Sequence, residues 1–220
     1  MAPRPSQPES GSSRERLLNA AKHLFAAGGY EHTATSAIAR AAGTSESQLM
    51  RYFGGKVGLL DAVFDAAWVE LNRRIDRAMK QLDSPPDELI RVIETVTAAL
   101  ARDPDLATLF LFEARRIRGN GANVRMSSGF TAFSDRVRII VKQGVANGVF
   151  RAGLEPSAVA AGVLGAAEAM ARERLILRRR GNRAYGEKEI RRTLVAMVSG
   201  LTTGANPQRR RAAAGRQGAG

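Results

Sequence analysis

The sequence predicts an all-α protein, on three observations. Apolar residues recur at spacings of three and four along most of the chain, the repeat of an amphipathic helix. Glycine and proline cut that pattern into segments of helical length. No stretch sustains the alternation of a half-buried strand. With 220 residues, 44% of them apolar, the chain can bury a core and lies far from a disordered composition.

The first helical segment, residues 14–27, sets Leu17, Ala21, Leu24 and Phe25 on one face and stops at Gly28-Gly29. A second, short one opens at Thr35 and carries Ile38, Ala39 and Ala42 before Gly43. The third has Ser45 as its N-cap and runs to Phe53, with Leu49 and Phe53 as an inward pair. Past Gly54-Gly55, a longer segment from Lys56 to about Gln81 aligns Leu60, Val63, Phe64, Ala67 and Leu71. Pro85-Pro86 then interrupts the pattern. Further helices are expected over 87–102, 104–118, 127–147, 156–180 and 185–201, with Pro104 and Pro156 in first turns, where a fixed φ helps and a missing donor costs nothing.

Lysine and arginine number 34 against 21 acidic residues, a formal charge of +13. Such a balance implies a polyanionic partner or a generally basic surface, and does not by itself separate nucleic acid from an acidic membrane. The absence of cysteine excludes disulfides, thiolate metal sites and cysteine nucleophiles, and only His23 and His32 offer imidazole. No apolar run reaches the roughly 18 residues of a membrane span, and the first twenty residues lack a signal-peptide core, so a soluble, cytoplasmic protein is expected. The expected organisation is a disordered tail over 1–13, a first helical domain over 14–60, a larger helical domain over 61–204 and a basic disordered tail over 205–220. That last segment carries Arg209, Arg210, Arg211 and Arg216, as a solvated end or as an aid to non-specific phosphate contact.

Two short helices joined by a tight turn at Gly43-Thr44-Ser45 match the helix-turn-helix plan, whose second helix enters the major groove of DNA. With Leu49 and Phe53 inward, the outer side holds Glu46, Ser47, Gln48, Arg51 and Tyr52. Gln48 suits adenine, Arg51 guanine or phosphate, and Thr35, Ser45, Ser47 and Tyr52 suit phosphate oxygens. Lys56 adds a cation at a positive helix end. The candidate DNA-binding set is therefore Thr35, Thr44, Ser45, Glu46, Ser47, Gln48, Arg51, Tyr52 and Lys56. An ordinary three-helix bundle with a polar solvated side would show the same spacing.

Residues 14–64, RERLLNAAKHLFAAGGYEHTATSAIARAAGTSESQLMRYFGGKVGLLDAVF, resemble the N-terminal domain of the TetR family of bacterial regulators. The likeness runs through Ala20-Ala21, Leu24-Phe25, Gly29-Tyr30, Thr35, Ile38-Ala39, Ala42-Gly43, Ser45, Leu49, Tyr52-Phe53, Lys56 and Leu59-Leu60. It implies that Thr35 caps the second helix and touches phosphate, that residues 45–53 read bases, and that Tyr52 and Lys56 clamp the backbone. The chain departs from the family's pattern at three positions. Met50 stands where tyrosine is usual, Ser47 where glycine or alanine is common, and Thr44 where an apolar residue is common. The first of these removes a phenolic phosphate contact.

The resemblance further implies a ligand-binding remainder that dimerises through its last two helices. Ala160, Ala161, Gly162, Gly165, Ala166, Ala167 and Ala169 would let a second helix approach closely, with Ile190, Leu194, Met197, Val198 and Leu201 on its mate. An intramolecular hairpin is the other reading. Projected as an α-helix, Glu113 falls within the stripe of Leu106, Leu109, Phe110 and Ile117, where it either orients a cationic or hydroxylated ligand or pairs with an arginine. Glu113, Phe110, Leu109 and Trp68 form the candidate ligand set, while Phe112, Phe130 and Phe133 line the pocket or fill core. Glu168 and Arg172 suit a helix ion pair, and Arg178, Arg179, Arg180 and Arg183 suit a helix end better than a second DNA site.

No paired carboxylates, metal-ligand spacing, phosphate-cradling glycine loop or nucleophile triad appears, so neither enzyme nor cofactor is expected. The expected function is a ligand-responsive repressor binding a palindromic double-stranded operator as a homodimer, with a small-molecule effector and no membrane association. An architectural DNA binder or a helical enzyme without a recognisable motif are the alternatives.

Overall fold

A computed structural model describes residues 11–113 and 127–203. The expected tails over 1–13 and 205–220 fall mostly or wholly outside these residues, as do Ile117, Arg118 and the side chain of Glu113. The described elements are α1 (Ser13–Gly28), α2 (Thr35–Ala41), α3 (Glu46–Phe53), α4 (Lys56–Met79), α5 (Pro85–Arg102), α6 (Pro104–Thr108), a π-helical turn (Leu109–Glu113), α7 (Ser128–Ala146), α8 (Pro156–Arg179) and α9 (Glu187–Leu201). Among the described residues no helix is long and apolar enough to cross a membrane.

Two differences from the expected pattern have local causes. Pro85 opens α5 instead of breaking it, because a first-turn residue has no intrahelical acceptor for the N–H that proline lacks. Leu109–Glu113 winds as a π turn, a wider repeat than the α-helix expected over 104–118.

The chain divides into two compact units, Met1–Glu70 with Leu100–Phe130, and Leu71–Ala99 with Thr131–Gly220. The first contains α1, α2, α3, the beginning of α4, α6 and the π turn. Its core is built on Leu17, Phe25, Ile38, Leu49, Leu59 and Leu60, all at most 2% exposed. Residues 100–113 join this unit because α6 and the π turn pack on α1. Asp103 caps α6 by accepting from the Leu106 N–H at 3.0 Å and pairs with the Lys22 ammonium at 2.7 Å. His23 Nδ1 lies 3.0 Å from Asp105.

In the second unit, α8 and α9 pack on one another. The Tyr185 hydroxyl lies 2.8 Å from the Met170 carbonyl and 2.9 Å from the Glu173 carboxylate. Phe150, fully buried, seats its ring against Gly144, where a Cβ would come within 2.2 Å of it. The flanking backbone pairs with the end of α9: Arg151 N–H donates to the Leu201 carbonyl at 2.9 Å and Thr203 N–H to the Val149 carbonyl at 3.0 Å.

Candidate nucleic-acid interface

The geometry of the site begins with how α2 ends. Thr44 N–H donates to the Ala39 carbonyl and Gly43 N–H to the Arg40 carbonyl, at 2.9 and 3.1 Å, which is the Schellman pattern. Gly43 takes the left-handed conformation this requires, with φ of 60°. The next residue but one, Ser45, caps α3 by accepting from the Gln48 N–H at 3.3 Å. One helix therefore stops and the next starts within three residues, fixing the angle between them. Arg16 secures the joint from α1, donating from Nε to the Ala42 carbonyl at 3.0 Å.

Leu49, wholly buried, is the anchor of α3. Phe53, expected beside it as an inward residue, is only half-buried, and the Arg14 guanidinium lies 5.4 Å from its ring centroid. At the other end, Gly54 adopts the left-handed conformation and returns its N–H to the Met50 carbonyl at 2.8 Å. A Cβ on Gly58 would lie 2.0 Å from the Phe53 carbonyl oxygen, so α4 starts in close contact with the end of α3.

Glu46, Ser47, Met50, Arg51 and Tyr52 are exposed on α3. Several of these groups already have partners. Thr35 Oγ1 donates to the Glu46 carboxylate at 2.7 Å. The Thr44 hydroxyl donates to the Gln48 side-chain carbonyl, which turns the amide's NH₂ into its free end and leaves fewer lone pairs for a bidentate adenine contact. Arg51 lies over the Tyr52 ring, 5.1 Å from its centroid, and donates to its hydroxyl at 3.4 Å. Tyr52 in turn meets Phe53 edge-on.

The capping role implied for Thr35 is corrected. Ala34 occupies the N-cap of α2, with no side-chain cap, and Thr35 is the first helical residue, so its hydroxyl is directed to Glu46. Lys56 serves a local purpose: its ammonium lies 4.4 Å from the Tyr30 ring centroid and donates to the Glu31 carbonyl at 3.1 Å. Arg14 and Arg16 stand outside the candidate set. Their only sequence signal is a pair of cations in the first turn of α1, and nothing in linear spacing takes them to residues 53 and 42.

The candidate ligand residues sit otherwise. Trp68 and Phe110 stack at 4.9 Å between centroids, Phe64 and Phe130 close around them at 5.8 Å from Phe110 and 5.3 Å from Trp68, and Leu109 is fully buried. These rings spend their faces on one another. An open groove of about 460 Å³ lies in the second unit, lined among the described residues by Asp76, Glu88, Arg136 and Ile139 with others, but not by Trp68, Leu109 or Phe110.

A short polar helix set by a Schellman turn and an N-cap on a three-helix core defines the helix-turn-helix class. Residues 17–63 match the family model described as bacterial regulatory proteins, tetR family. The fatty acid metabolism regulator protein of Bacillus subtilis is 27% identical over 101 residues, covering 46% of this chain and 52% of that protein. The HTH-type transcriptional repressor KstR of Mycolicibacterium smegmatis is 30% identical over 104 residues, 45% of this chain and 51% of that one. The chain thus spans about half the length of the curated relatives it matches. The transcriptional regulator FadR from Bacillus subtilis, solved in complex with stearoyl-CoA, superposes with a TM-score of 0.75 at 19% identity, over 84% of this chain and 96% of that one. The all-α fold, with an N-terminal helix-turn-helix and a helical remainder, is shared with it.

Proposed function

We propose that this chain is a sequence-specific transcriptional regulator: a homodimeric repressor that holds a palindromic DNA operator and releases it when a small effector binds. The observation that carries the reading is the outer side of α3, polar, exposed and held rigid by Leu49, Ser45 and the Schellman turn. Thr35, Thr44, Ser45, Glu46, Ser47, Gln48, Arg51, Tyr52 and Lys56 form the proposed DNA-binding set, acting in a non-enzymatic, cytoplasmic role.

Dimerisation is assigned to α8 and α9. Gly162, Gly165 and Gly200 have open space where a Cβ would stand, and Met197 is 41% exposed, which suits close approach by a second copy. Two α3 helices about 34 Å apart would then face successive major grooves. A matching regulator solved with stearoyl-CoA makes acyl-coenzyme A thioesters the effector class to test first. Glu113, Phe110, Leu109 and Trp68 remain the proposed effector residues, reached by opening the aromatic cluster.

The test is selection of operators from a random duplex pool by the full chain, followed by binding titrations with and without stearoyl-CoA. Arg51→Ala is expected to weaken operator binding by about 1 to 3 kcal/mol while sedimentation shows an unchanged dimer. Enrichment of no sequence would overturn the reading, and a complex indifferent to acyl-CoA would remove that effector class.

A further inference from the structure

The geometry points to Met50 as a base-reading residue, one that contacts the 5-methyl group of a thymine in each operator half-site. This rests on the DNA-binding reading above. With Leu49 inward, a step of about 100° per residue puts Ser47 and Arg51 opposite it, Gln48 on one flank and Met50 on the other. Met50 is 54% exposed, more than Tyr52 at 40%. Three of its polar neighbours are engaged within the protein, Glu46 by Thr35, Gln48 by Thr44 and Arg51 by Tyr52, and Ser47 is a short exposed hydroxyl. Met50 thus presents the exposed apolar side chain of the helix beside side chains that mostly have partners.

The chemistry selects the target. A thioether carries no proton donor and only a weak acceptor, so phosphate oxygens and the polar edges of guanine, cytosine and adenine offer it little. The thymine methyl is the apolar feature of the major groove, and burying it against a flexible, polarisable side chain removes both from water. The sulfur leans toward the α3–α4 turn, 3.8 Å from where a Cβ on Gly55 would stand, and Gly55 leaves it room to swing outward.

The experiment uses the full chain and an operator it has itself enriched from random duplex DNA. Each thymine is replaced in turn by deoxyuridine, which deletes only the methyl group. At one position per half-site the wild type is expected to lose about four-fold in affinity, the effect of one buried methyl. Met50→Ala should lose a similar factor on the thymine operator and nothing further on the deoxyuridine one, whereas Met50→Leu should keep the preference. Equal ratios of wild-type to Met50→Ala affinity across all replacements would overturn the inference while operator binding itself stands. A chain that enriches no sequence overturns the DNA-binding reading and this inference with it.

Discussion

The Thr35 hydroxyl donates to the Glu46 carboxylate at 2.7 Å, joining the first residue of α2 to the first residue of α3. In the proposed complex this pair faces phosphate, and the hydroxyl, its one proton given to the carboxylate, restrains a negative charge beside the DNA backbone. Thr35→Val keeps the shape and deletes the donor. Hydrogen bonds to charged groups are worth roughly 1.5 to 3 kcal/mol, so operator affinity should fall at least about ten-fold, with the melting temperature little changed because Thr35 is only partly buried and Glu46 is exposed. Fluorescence anisotropy measures this; equal affinities would take Thr35 out of the interface.

Gly58→Ala tests the joint between reading helix and scaffold. The added methyl would meet the Phe53 carbonyl oxygen at 2.0 Å, and a backbone atom cannot step aside as a side chain does. Overpacking of this sort costs about 1 to 3 kcal/mol, so urea unfolding should shift to lower concentration. DNA affinity should drop as well, because the end of α3 has to move. A variant as stable as the wild type would show that α4 starts elsewhere in solution.

Asp103 makes the attachment of α6 to α1 sensitive to acid. Burial raises its carboxyl, but the Lys22 ammonium and the backbone N–H groups of Leu106 and Asp105 outweigh that and hold it below the ordinary value of 3.8. A depressed carboxylate stabilises the fold fully above that value and loses its contribution as pH falls through the lower, folded one. Asp103→Ala should cost about 1 kcal/mol at neutral pH, the usual effect of losing an N-cap. Its stability should approach that of the wild type at the acid end, and a constant gap down to pH 2 would contradict the assignment.

Tyr185 works in the opposite direction. Burial, with the Glu173 carboxylate as the next cause, pushes its phenol up from 10.0 to about 12. The neutral form is favoured in the folded state, so its contribution is complete below pH 10 and declines only as pH rises toward 12. Subtracting the ultraviolet titration of Tyr185→Phe from that of the wild type should leave almost no tyrosinate signal up to pH 11. A midpoint near 10 would mean that the hydroxyl is not held by Glu173 and Met170.

Much of this architecture is legible along the chain because it is local. The Gly43-Thr44-Ser45 turn, the Ser45 cap and the Leu49 anchor depend on neighbours a few residues away, and each was readable as such. What sequence spacing misses is long-range or depends on competition. Lys56 reaches back to Tyr30 and Glu31, and Arg16 to Ala42, through the packing of separate helices. The π turn at Leu109–Glu113 has no distinctive composition, so nothing along the chain separates it from the α-helix expected over 104–118. Gln48 looks like a free amide until Thr44, four residues earlier, is seen to occupy its carbonyl.

The paired backbone bonds between residues 149–151 and 201–203 close a ring of chain more than fifty residues long with only two amide protons, those of Arg151 and Thr203. Since neither bond can break without straining the other, the two protons should trade with deuterium at one common rate, set by detachment of the final helical turn. That shared clock would report how often the end of α9 lets go, without any probe attached to it.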